Sequence, residues 1–118
     1  MVRLKRLSLD HNKLMGRLPA SLGSLPSLEH LSLGHNQLEG VLPPALGQLQ
    51  GTLVQLNVSH NRLQGPLPSL LAHLHRLASL DLSFNRFSGF LPDYVLFLPH
   101  FEVTHPSAFS VLLIPHFT

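Results

Sequence analysis

The chain has 118 residues, 29 of them leucine and only 12% charged, a composition that fits one core-heavy domain and leaves no length for a second. Its formal charge of +2 comes from scattered Lys and Arg, with no basic run and no interleaved aromatics, so no nucleic-acid partner is expected. Cysteine is absent, which excludes disulfides.

The opening stretch MVRLKRLSLD enters a periodic pattern at Leu4 without an apolar run before it, so neither a signal peptide nor a capping helix is expected there. From Leu4 onward the chain repeats. Asn12, Asn36, Asn61 and Asn85 are separated by 24, 25 and 24 residues. Gly16, Gly40, Gly65 and Gly89 each follow four residues later, and the pairs Leu18-Pro19, Leu42-Pro43, Leu67-Pro68 and Leu91-Pro92 come two residues after each glycine. A fixed period of this size marks a solenoid.

Each repeat has three physical parts, seen most clearly between Leu28 and Leu49. Leu31-Ser32-Leu33 alternates apolar and polar, as a short strand with one buried face does. Asn36 ends the strand; its amide offers two donors and an acceptor, so an inward-turned Asn can bond its own bend and the next coil, and stacked copies make a polar ladder. Gly40 supplies a backbone position without a Cβ penalty where the coil turns back. Pro43 sets φ for a helical turn and Gly47 is expected to close that turn left-handed.

In chain order, the first repeat (4–27) points Leu4, Leu7, Leu9, Leu14, Leu18, Leu22 and Leu25 inward. The second (28–52) repeats this set and holds the one extra residue around Gln50-Gly51-Thr52, on a connection where added length costs little. The third (53–76) uses Val58 in the strand and Ala72 in place of the turn glycine, and the fourth (77–100) places Phe87 at a core position. The repeat domain thus covers 1–98. Beyond Pro99 the pattern fails: Thr104, Pro106 and Phe109 stand where a fifth repeat needs Leu, Leu and Asn, leaving 99–118 as a degenerate tail. Its apolar run Val111 to Ile114 is far short of the roughly 20 residues that span a bilayer.

The pattern LxxLxLxxNxLxGxLPxxLGxL, carried from Leu4 to Leu98, resembles the plant-type leucine-rich repeat of 24 residues. The resemblance implies an α/β-type solenoid: a coil stack with a short parallel β-sheet on the concave face and 3₁₀ or short helical turns on the convex face. It also implies a non-enzymatic module that recognises a protein or peptide, similar to part of a plant cell-surface receptor ectodomain in signalling or defence. Related members are receptor-like serine/threonine kinases, whose kinase motifs this chain lacks, and secreted inhibitors of polygalacturonases. The family is extracellular or at the plasma membrane. Its extracellular members usually carry paired-cysteine caps, which a chain without cysteine cannot form. Uncapped ends would leave apolar side chains and a sheet edge exposed, so end-to-end self-association is expected.

Binding is expected on the concave sheet, where outward residues of successive strands align in columns about 4.8 Å apart. The columns are Arg6, His30, Gln55 and Ser79; Ser8, Ser32, Asn57 and Asp81; Asp10, Gly34, Ser59 and Ser83; and His11, His35, His60 and Phe84. A polar face of this kind suits an extended peptide or protein loop rather than a small molecule, and no cofactor is expected. The three histidines could be read as metal ligands, but parallel side chains do not converge, no carboxylate or thiolate completes a tetrahedral set, and Phe84 ends the column. Ser, His and Asp also occur on this face, yet none forms a nucleophile paired with a base, so no catalytic site is expected. Asn57-Val58-Ser59 is a glycosylation sequon.

Overall fold

A computed structural model describes residues 3–66 and 74–88. Each coil runs strand, bend and second strand, and in the first two coils a connection on the far side follows. The first strands are β1 (Arg6–Ser8), β3 (His30–Ser32), β5 (Gln55–Asn57) and β7 (Ser79–Asp81). They form one parallel four-stranded sheet in the order β1-β3-β5-β7. The second strands are β2 (Met15–Arg17), β4 (Gln37–Gly40), β6 (Arg62–Pro66) and β8 (Arg86–Ser88), and they form a second parallel sheet in the order β2-β4-β6-β8. The solenoid of parallel strands with 3₁₀ turns is therefore as expected, but the second sheet is an addition. It was illegible because Gln37-Leu38-Glu39-Gly40 ends in a glycine at φ +82°, which reads as a turn.

The core is a leucine stack. Leu28, Leu31, Leu42, Leu46, Leu49, Leu53, Leu56 and Leu63 are all buried with Val58 and Phe87, so the alternation in the strands does put one face inside. Burial of each such side chain contributes about 1.5–3 kcal/mol. In the first coil the expected inward positions are only partly covered: Leu4, Leu9 and Leu14 are more than a third exposed, because no described coil packs against them on one side.

The asparagine ladder is present. The Asn36 Oδ1 accepts from the amides of Asn12 and Leu14, both at 3.1 Å, while its Nδ2 donates to the carbonyls of Leu9, Leu33 and Gly34. Asn61 does the same one coil on, accepting from Leu38 N and donating to Leu33 O, Val58 O and Ser59 O. Asn85 accepts from Leu63 N and donates to Val58 O. Each amide thus satisfies backbone groups of two coils at a bend that strand pairing cannot reach.

Two 3₁₀ turns lie on the far side, Ala20–Ser24 and Pro44–Leu49. Their geometry corrects two expectations. Pro43 is extended, with φ −69° and ψ 133°, so it stands ahead of the turn and Pro44 begins it. Gly47 does not close the turn left-handed: the turn runs on to Leu49, and Gly47 is not among the glycines with positive φ. The matching glycine of the first coil, Gly23, shows a different need. It is buried, and a Cβ there would run into the Ala45 carbonyl of the next coil, so the glycine permits close coil-to-coil approach. The far-side turns expected in the third and fourth repeats, including Gly89 and the pairs Leu67-Pro68 and Leu91-Pro92, lie outside the described residues, as does the tail 99–118.

Candidate ligand-binding face

The first sheet pairs equivalent positions of successive repeats. Arg6 faces His30, His30 faces Gln55 and Gln55 faces Ser79; Ser8, Ser32, Asn57 and Asp81 are aligned in the same way. The central residues Leu7, Leu31, Leu56 and Leu80 turn to the core side, which leaves these two columns on the outer side. Arg6 and Ser79 are exposed, and His30 Nδ1 lies 3.1 Å from Gln55 Oε1.

The other two columns lie beyond the strands, in the bend, and there the structure departs from the expected outward-facing surface. Ser59 and Ser83 are buried, at 4% and 6% exposure. Asn57 Oδ1 accepts from both the amide and the hydroxyl of Ser59, and Asp81 Oδ1 does the same for Ser83. In the first two coils the polarity of the motif is reversed. Asp10 sits at the bend position and accepts from the Ser32 hydroxyl at 2.8 Å, the Gly34 amide at 2.6 Å and the Ser8 hydroxyl at 3.2 Å. Gly34 is the point of convergence: a Cβ there would meet Ser59 Oγ at 3.2 Å, Asn57 Oδ1 at 3.3 Å and Asp10 Oδ1 at 3.4 Å. Much of the polarity read as ligand-facing is therefore consumed in pinning the bends, by the Asx-type bonds that Asn and Asp make to backbone two residues on. The sequon is part of this arrangement, with Asn57 and Ser59 bonded to each other.

The fourth column is the most regular feature of the molecule. His11, His35, His60 and Phe84 all have left-handed backbones, with φ of 56° or 57°. Side chains other than glycine seldom occupy this region, though His does so more readily than most. The conformation is held from both sides. The amides of His11, His35 and His60 donate to the carbonyls of Gly34, Ser59 and Ser83 in the next coil, while the carbonyls of His60 and Phe84 accept from Asn36 N and Asn61 N. The rings consequently stack face to face, with centroids 4.1, 3.9 and 4.2 Å apart and planes within 16° of parallel. Parallel imidazoles direct their ring nitrogens side by side rather than at one point, and among the described residues no three His, Asp or Glu are placed to hold an ion. His11, His35 and Phe84 are exposed, so the column offers a ribbon of ring edges beside the first sheet.

Models of the leucine-rich repeat match residues 2–63 and 76–98. The chain belongs to the leucine-rich repeat family. No curated protein sequence matches it. Among solved structures it is similar to a TDR receptor at 31% identity, with a TM-score of 0.83 over 91% of this chain and 18% of that one. It is also similar to the plant peptide hormone receptor RGFR1 in complex with RGF2, at 27% identity and TM-score 0.81, over 92% of this chain and 17% of that one. A third likeness is to the leucine-rich repeat ectodomain of the receptor kinase SOBIR1 from Arabidopsis thaliana, at 27% identity and TM-score 0.76, over 91% of this chain and 60% of that one. This leucine-rich repeat chain thus spans under a fifth of the first two proteins and three fifths of the third. Among the described residues no helix is long and apolar enough to cross a membrane.

Proposed function

We propose that the chain is a non-enzymatic recognition module that takes an extended peptide or protein loop across the outer side of the first sheet, as part of a plant cell-surface receptor ectodomain. The observation that carries this reading is the shared register of β1, β3, β5 and β7. It sets equivalent outward side chains in straight columns on rigid backbone, flanked by the ring ribbon. The footprint centres on Arg6, His30, Gln55 and Ser79 on the sheet, and on His11, His35, His60 and Phe84 along the bend. Ser8 lies at the margin, while Asp10, Ser32, Asn57, Ser59, Asp81 and Ser83 support the face from beneath. The peptide hormone receptor among the similar structures supports a peptide ligand, and the receptor-kinase ectodomain supports an extracellular setting in a larger signalling protein.

Selection from a displayed peptide library, repeated with Arg6→Ala, Phe84→Ala and the far-side variant Gln48→Ala, tests the assignment. Loss of about tenfold from either of the first two, with Gln48→Ala neutral, is expected where a few central contacts dominate an interface. Loss from Gln48→Ala alone would move the binding face to the other side.

A second element of the proposal concerns the first coil as an isolated chain. Leu9, Leu14, Met15, Leu18 and Leu22 line an apolar hollow of about 240 Å³, next to β1, which is an edge strand of the first sheet among the described residues. A second copy of the chain is its occupant in solution, since an open parallel edge with an apolar flank templates further pairing.

A further inference from the structure

The second sheet brings together residues that the repeat pattern keeps apart. In the first sheet Arg6 faces His30, a separation of 24, whereas in the second Met15 faces Gln37 and Gln64 faces Arg86, each a separation of 22. The slip of two residues sets Arg17, which follows its glycine, opposite Glu39, which precedes its own, and sets Glu39 opposite Arg62. With Arg86 and Gln64, these side chains and Gly40 line a groove of about 290 Å³. The floor is Gly40: a Cβ there would come within 3.0 Å of Arg17 Cγ and 3.3 Å of its Nε, so the Arg17 stem lies across the glycine.

We propose that this groove binds a tetrahedral oxyanion, a sulfate or phosphate ester carried by a ligand. Three guanidiniums face one carboxylate, so the local field favours an anion although Glu39 opposes it. Each guanidinium presents a planar fork of donors suited to paired oxygens. A carboxylate holds its two oxygens in one plane, whereas a tetrahedral ester presents three terminal oxygens in different directions to forks arriving from three strands, with the Gln64 amide as a further donor. The site lies on a different sheet from the proposed peptide face and stands or falls separately from it.

Calorimetric titration with inorganic sulfate, inorganic phosphate and acetate at matched ionic strength tests the site, and the stronger of the first two identifies the ester. Binding in about the millimolar range is expected for the tetrahedral ions, with each of Arg17→Gln, Arg62→Gln and Arg86→Gln weakening it about two- to fivefold. Glu39→Gln should tighten it by a similar factor, and Arg3→Gln, away from the groove, should leave it unchanged. The four charged side chains of the groove are exposed, so these variants are expected to fold, and circular dichroism verifies that. Acetate binding as well as sulfate, equal loss from Arg3→Gln, or no gain from Glu39→Gln would each overturn the proposal.

Discussion

The two sheets are made by the same four repeats, yet they treat the repeat differently. The first pairs residues in step with the period, so like stacks on like: leucine on leucine inside, imidazole on imidazole at the adjoining bend. The second slips by two residues, and unlike positions become neighbours, Arg17 beside Glu39 beside Arg62. A period in the chain is therefore a period in space only where the register matches it. The asparagine bend lies between the two strands of each coil and holds both regimes in place, since Asn36 bonds to carbonyls on the first-strand side and its Oδ1 binds the amide of Leu14 just ahead of β2.

The largest expected effect comes from that bend. Asn36→Ala takes the partner from the amides of Asn12 and Leu14 and one of two donors from the carbonyls of Leu9, Leu33 and Gly34, and since an orphaned donor costs about 1–3 kcal/mol, a loss near the top of that range is expected in urea denaturation. His35→Ala, one residue earlier and exposed, should lose about 1 kcal/mol or less of ring stacking. Equal losses would mean that the inside and outside of the bend are misassigned.

The slipped sheet is probed next by Gly40→Ala. At φ +82°, and with Arg17 lying over it, the new methyl should cost about 1–2 kcal/mol and displace the Arg17 stem. Gly51→Ala, where a Cβ meets nothing within 4 Å and φ is not positive, should be neutral or slightly stabilising. A neutral Gly40→Ala would deny that the second sheet needs its left-handed turn.

The last test concerns the end of the stack. Sedimentation velocity over a concentration series should show association that Met15→Glu weakens, because Met15 is 71% exposed beside the apolar hollow and burying one such side chain contributes about 1.5–3 kcal/mol. Unchanged sedimentation at every concentration would remove the second copy from the proposal.

How much was legible differs between these regions. The strand leucines, the asparagine ladder and the four ring positions could be read directly, because each depends on spacing alone. Their polar neighbours could not. Ser59 and Ser83 alternate like surface residues, yet Asn57 and Asp81 draw them in through hydrogen bonds that hydrophobic periodicity does not report. Gly47 read as a helix stop from composition, whereas its counterpart Gly23 answers to the Ala45 carbonyl of another coil, a contact that chain order does not reveal.

What the chain determines by itself, then, is the coil: its period, its buried leucines and its bend, since these rest on the short-range preferences of Leu, Asn, Gly and Pro repeated in step. What only the tertiary structure decided is the lateral match between coils. The two-residue slip of the second sheet, the parallel ring stack and the groove of three arginines all follow from how neighbouring backbones align their hydrogen bonds. That alignment is a property of pairs of coils, settled by packing and backbone pairing across more than twenty residues, and no single repeat carries it.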